Sequence, residues 1–122
     1  MKYLCLAYYD EQKLQSLTPG DLAAIGRQCE PHDAALRESG HLVLSARLQP
    51  ARASAVVRPC NGKPAITDGP FVETKEQVGG LFVIDAKDLN EALLVASKHP
   101  AALINEHLGW GIEVRPIDDL RA

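Results

Sequence analysis

The spacing of apolar side chains changes period several times along the chain, and each change predicts an element. "KYLCLAYY", residues 2–9, is apolar at both parities, the pattern of a strand covered on both faces. "LTPGD" follows, with Thr18 as N-cap, Pro19 at the first helical position and Asp21 in the first turn, so a helix starts there. Leu22, Ile25, Cys29, His32 and Leu36 then recur in steps of three and four, one stripe of a helix that Gly40 closes. Pro31 lies inside that stripe. It removes an internal hydrogen bond and predicts a kink or a split into two pieces.

"HLVLSARLQ" alternates and predicts a strand, as does "ASAVVRPC"; "NGKP" is a hairpin signal leading into a short strand through Ile66. "GGLFVIDA" predicts another strand, opened by a Gly pair where the backbone bulges or approaches something closely. Asp88 caps a second helix with Glu91 at the capping-box position, and Leu89, Ala92, Leu93 and Ala96 form its expected buried stripe. Lys98 and His99 suit the negative end of that helix before Pro100 stops it, and "GIEVRPI" is a last strand. Residues 101–109 read either as a short extra helix or as a long loop.

This order, with two crossover helices on one sheet, predicts an α+β chain: a ferredoxin-like split βαβ sheet with an added hairpin, spanning 1–122 as a single domain. Both helices belong on one sheet face. The other face stays apolar, because "LVLSARL" and "LFVID" are apolar at both parities. A bare apolar sheet face is uncommon on a soluble monomer, so the expected assembly is a homodimer in which two sheets enclose a cavity, a dimeric α+β barrel. The competing expectation is that residues 101–109 fold over that face.

Composition narrows the function classes. The net charge of −3, with thirteen scattered Lys and Arg and six aromatics, argues against direct nucleic-acid binding. Three widely spaced cysteines without a C-x-x-C suit reduced thiols and a cytoplasmic protein. No apolar run reaches membrane-spanning length, and the apolar start has neither the basic region nor the cleavage site of a signal peptide. No H-x-x-H or Cys/His cluster suggests a metal site, and no phosphate-binding Gly loop or G-x-S-x-G elbow is present, so no cofactor is expected.

The richest stretch is "ITDGPFVETKEQVGG", residues 66–80. Asp68-Gly69-Pro70-Phe71, Glu73-Thr74-Lys75-Glu76 and Gly79-Gly80 resemble the DGPF signature of the YCII-related family. Val57-Arg58, Pro100 and "EVRP" at 113–116 fit the same pattern, so the resemblance runs nearly end to end. It implies the dimeric α+β barrel, and it implies proximity to alternative sigma factors, beside which such proteins tend to be encoded. The family is similar in another respect: broader members are thought to use a His–Asp pair, which implies a role for His32 beside Asp33. "SARL", Val72 and a long 101–109 segment depart from the family pattern at the expected cavity wall.

Candidate site residues follow from polar groups set in apolar or rigid surroundings. Gly69 and Pro70 make a stiff turn that holds Asp68, and Phe71 is expected to anchor it in the core. Asp68 serves either a backbone-bonded turn or a ligand. Glu73 and Lys75 form either a solvated face or a cavity mouth in which Lys75 meets an anion. Arg58 and Arg115, in otherwise apolar strands, call for carboxylate partners, with Asp68 and Glu113 the nearest in pattern. His32 is the candidate general base, against the plainer role of a core histidine bonded to a carbonyl. Two function classes result. One is a cofactor-independent enzyme on a small anionic or carbonyl-bearing molecule, with His32 or Asp68 moving a proton and Arg58, Glu73, Lys75 and Arg115 around the ligand. The other is a non-catalytic sensor or regulatory module that touches a sigma factor.

Overall fold

The computed structural model describes residues 1–121. Strands β1 (Lys2–Asp10), β2 (Leu42–Arg47), β5 (Glu76–Asp85) and β6 (Gly111–Pro116) form one sheet in the order β2-β5-β1-β6, with every neighbouring pair antiparallel. Between β1 and β2 run helices α1 (Glu11–Gln15) and α2 (Pro19–Glu38); between β5 and β6 run α3 (Leu89–Ala96) and α4 (Pro100–Leu103). Strands β3 (Ala55–Cys60) and β4 (Lys63–Asp68) pair only with each other, as a hairpin apart from the main sheet. The fold is α+β, and the single chain closes no barrel.

One sheet face carries Tyr3, Cys5, Phe82 and Ile84, all within 2% of complete burial. Leu36 of α2 and Ala92, Val95 and Ala96 of α3 cover them, with Leu42, Ile112 and Val114 at the margins. Burial pushes the Cys5 thiol up to about 11, so this sulfur is a core atom and not a nucleophile. On the opposite face Leu4 lies across from Val83 and Leu6 across from Leu81, and β2 extends the row with Leu44 and Ala46. Val83 at the centre is buried, Leu4, Leu6 and Leu81 are half-buried, and Leu44 is 50% exposed. Residues 101–109 do not cover this face. They form α4 and a 3-10 turn (Glu106–Leu108), and α4 sits against β6 and α2 on the other side.

Several local expectations hold. Thr18 and Asp21 form a reciprocal capping box at α2, and Asp88 accepts the N–H of Glu91 at α3. Glu91, however, accepts from Lys87, one residue before the cap. Asn61 and Gly62 both take positive φ, as a two-residue hairpin turn requires.

Others need correction. Pro31 does not split α2, which is one element from Pro19 to Glu38; Pro31 sits on its exposed side, where a missing hydrogen bond costs least. The buried stripe of α3 is rotated: Ala92, Val95 and Ala96 are covered, whereas Leu89 and Leu93 are exposed. Small side chains permit the close approach of α3 to the sheet, so packing selects Ala over Leu there. The helical turn α1 was not foreseen; Asp10, itself buried, caps it by accepting from the N–H of Lys13. Pro100 does not merely end a helix. It opens α4, with the side chain of His99 as N-cap.

Candidate functional site

The helix face of the sheet is closed at one end and open at the other. At the closed end Leu36 meets Tyr3 and Phe82. Toward the C-terminal end of β1 the floor is built from Ala7, Ser45, Gly79 and Gly80, side chains too small to reach the first turns of α2. Leu22 therefore stays exposed, Ile25 and Cys29 are half-buried, and a groove of about 1080 Å³ separates helix from sheet. Two irregularities shape it. β1 and β5 shift register between Ala7 and Tyr8, leaving Gly79 as the extra residue, and β2 shifts between Leu42 and Leu44. The second shift brings Ser45 and Arg47 to the groove side and leaves Leu44 and Ala46 on the open face.

Charge enters the groove from several elements. Arg37 comes from α2, Arg47 from β2 and Arg52 from the 3-10 turn after it; Glu11 and Asp33 come from α1 and α2. Three cations against two carboxylates in a concave site favour an anion. Tyr8, Tyr9 and Trp110 add aromatic wall.

His99 occupies the boundary between groove and core. Its ring stacks on Phe82, with centroids 4.7 Å apart and planes 6° from parallel. Nδ1 accepts the N–H of Ala101 at 3.0 Å, so the neutral ring carries its proton on Nε2. Burial lowers the pKa of His99, and the negative charge of Asp33 works in the opposite direction. The same charge acts on Cys29: burial, then Asp33, raise its thiol pKa. Stacking and one hydrogen bond fix the ring, and Nε2–H remains as its donor.

The residues singled out by sequence lie elsewhere. His32 is half-buried on α2, one position before Asp33, and does not line the groove. Arg58 projects from β3 with its guanidinium 3.9 Å above the ring of Phe71, a cation–π contact in place of a bond to Asp68. Phe71 is 64% exposed and does not enter the core. Asp68, at the end of β4, is exposed and has no side-chain hydrogen bond among the described residues. The turn is nevertheless held: Gly69 takes φ 94° and donates its N–H to Ser54 at 2.7 Å, and Gln77 Nε2 donates to the carbonyls of Val72 and Thr74. Glu73 and Lys75 are exposed on that loop. Arg115 pairs with Glu113, two residues away on β6. The loop and hairpin border a second hollow of about 670 Å³ with no charged lining residue, walled by Leu48, Pro50, Val56, Val57, Phe71 and Val78.

The groove residues carried little signal in sequence. His99 before a proline reads as a helix end. Arg47 and Arg52 fall in and after an exposed strand. Only the Gly79-Gly80 pair hinted at a close approach in this region.

A family model for the YCII-related domain matches residues 1–118. The chain belongs to the YCII-related family. A second YCII-related chain, an uncharacterized protein of Rhizobium meliloti (strain 1021), is 36% identical over 118 residues, covering 96% of this chain and 92% of that one. No helix among the described residues of this YCII-related chain is long and apolar enough to cross a membrane.

Proposed function

We propose that this YCII-related protein binds a small anionic molecule in the groove between α2 and the sheet, and that the Nε2–H of His99 donates a hydrogen bond to it without a cofactor. The observation that carries this reading is the convergence of Arg37, Arg47 and Arg52 on the groove that also holds His99 and Asp33. The arginines hold the anion. The Nε2–H of His99, whose Nδ1 is already occupied by the Ala101 N–H, donates a hydrogen bond to the bound oxygen.

The protein works as a homodimer in this reading. The sheet order is that of a ferredoxin-like split βαβ unit, and two such sheets pair through the Leu4, Leu6, Leu44, Leu81 and Val83 face to complete a dimeric α+β barrel. The hairpin and its loop, with Arg58, Asp68, Glu73 and Lys75, and the Glu113–Arg115 pair belong to the surroundings of that contact. This places Arg115 on the same face as Leu4, its partner across the sheet.

A thermal-shift screen of metabolites tests the ligand claim. A ligand at a hundred times its Kd stabilises the folded state by about 2.7 kcal/mol, a clear midpoint shift. The hits should be anions, and Arg47→Ala and Arg52→Ala should lose the shift. Neutral apolar hits, or equal responses in both variants, defeat the reading. For the assembly, Leu44→Lys should turn a dimer into a monomer in size-exclusion light scattering. A wild type that is monomeric at micromolar concentration ends the dimer claim.

A further inference from the structure

We infer that Tyr9 is a ligand-reading residue of this groove, its hydroxyl and the guanidinium of Arg52 together receiving a carboxylate that bears an oxygen on the neighbouring carbon. The inference rests on the proposed anion site and names its substrate class.

The first observation is how the Tyr9 ring is seated. Gly79 is the extra residue of the β1–β5 register shift, and a Cβ built on it would lie 2.2 Å from Cε1 and 2.3 Å from Cδ1 of Tyr9. The Cδ1–Cε1 edge of the ring occupies the space a side chain at 79 would fill, so the glycine and the bulge together permit this seat for Tyr9. The second is that hydroxyl's surroundings. Tyr9 lines the groove, and no hydrogen bond within the described residues claims its hydroxyl, whereas Asp10, Thr18 and Asp88 are claimed at their caps. Arg52 and Glu11 flank it closely enough to act on its charge in opposite directions. Burial and Glu11 raise the phenol's pKa, so it stays a donor at neutral pH. The third is that this end of the groove is polar and unsatisfied. Glu11 Oε1 and Trp110 Nε1 are shut from solvent without a hydrogen bond among the described residues, and Glu11 Oε1 has only a loose ion pair with Arg52, at 4.0 Å.

A phenol donor beside a guanidinium matches two adjacent oxygens of one small molecule. Arg52 takes the carboxylate, and Tyr9 donates to the oxo or hydroxyl oxygen one carbon away. A plain carboxylate leaves the Tyr9 donor unused, and a site built around a hydrogen bond discriminates against a ligand that lacks the partner.

The test uses the full chain and three probes: 2-oxobutanoate, 2-hydroxybutanoate and butanoate. Binding is read from the side-chain resonances of His99 and of Trp110, which is the chain's one tryptophan. Wild type should bind one or both oxygenated acids about tenfold tighter than butanoate, the worth of one hydrogen bond to a polar ligand. Preference for the oxo or for the hydroxy acid tells which oxygen the site takes. Tyr9→Phe keeps the ring on Gly79 and should erase that preference while still binding butanoate. Equal affinity for all three acids in wild type, or an unchanged preference in Tyr9→Phe, overturns the inference and leaves the anion site standing. If no acid moves either resonance, both fall.

Discussion

Substituting Gly79 by Ala places a methyl where the Tyr9 ring now lies. Ordinary carbon–carbon contact is about 3.5 to 4.0 Å, whereas the new Cβ would meet Cε1 at 2.2 Å and Cδ1 at 2.3 Å. A gap of that size is not absorbed by small adjustments, so the ring must leave its seat. Overpacking of this kind costs about 1–3 kcal/mol. Against this stands the gain from a less flexible unfolded chain, about 0.4–1 kcal/mol for Gly to Ala at a tolerant position. The net expectation is a loss of about 1–2 kcal/mol, or roughly 3–8 °C in melting temperature for a domain of this length. A double-mutant cycle isolates the cause. In a Tyr9→Ala background the methyl has no ring to meet, and Gly79→Ala should become neutral or mildly stabilising. Denaturant titrations of the four proteins supply the coupling energy. If Gly79→Ala costs the same in both backgrounds, the ring contact is not the reason for this glycine, and the argument from close approach fails.

Other consequences follow from the same coordinates. The pKa of His99 is lowered in the folded state, so the unfolded chain binds the extra proton first. Stability from this group is complete above the ordinary histidine value of about 6.5 and declines as pH falls below it; His99→Gln should flatten the melting temperature between pH 7.5 and 5.5, and an unchanged slope would count against its burial. Phe82→Ala removes a ring that is 1% exposed and the stacking partner of His99, and should destabilise by about 3–5 kcal/mol in urea unfolding. Thr18→Ala breaks a reciprocal capping box and should lose about 1 kcal/mol, measured the same way. Toward a thiol reagent under native conditions, exposed Cys60 should react first and buried Cys5 only on unfolding; early labelling of Cys5 would contradict the described core.

Much of the architecture was legible because local chemistry and burial agreed. The Thr18-Pro19 start of α2, the Asn61-Gly62 turn and the Asp88 cap are each set by a few adjacent residues. The two-sided apolar strands correctly announced a sheet with a helix-covered face and a second apolar one. The stripe of α2 was legible too, yet it misled. Leu22, Ile25 and Cys29 keep helical spacing, but the sheet beneath them is Ala7, Ser45, Gly79 and Gly80, and nothing in the helix's own sequence records how far away its floor lies. His99 is the same lesson at a site. Its neighbours in sequence read as a helix end; its neighbours in space are Phe82 and Asp33.

The sequence by itself therefore determined most of the elements, their order and the family, because caps, turns and periodicity act over a few residues, whereas α1 escaped it and α4 stood as one of two readings. Only the tertiary structure decided which polar groups meet. Arg37 and Asp33 of α2, Arg47, Arg52, Tyr9 and His99 come from elements far apart in the chain, and it takes two register shifts and a floor of small side chains to leave them facing one space. Such convergence depends on through-space distance, which no local pattern encodes.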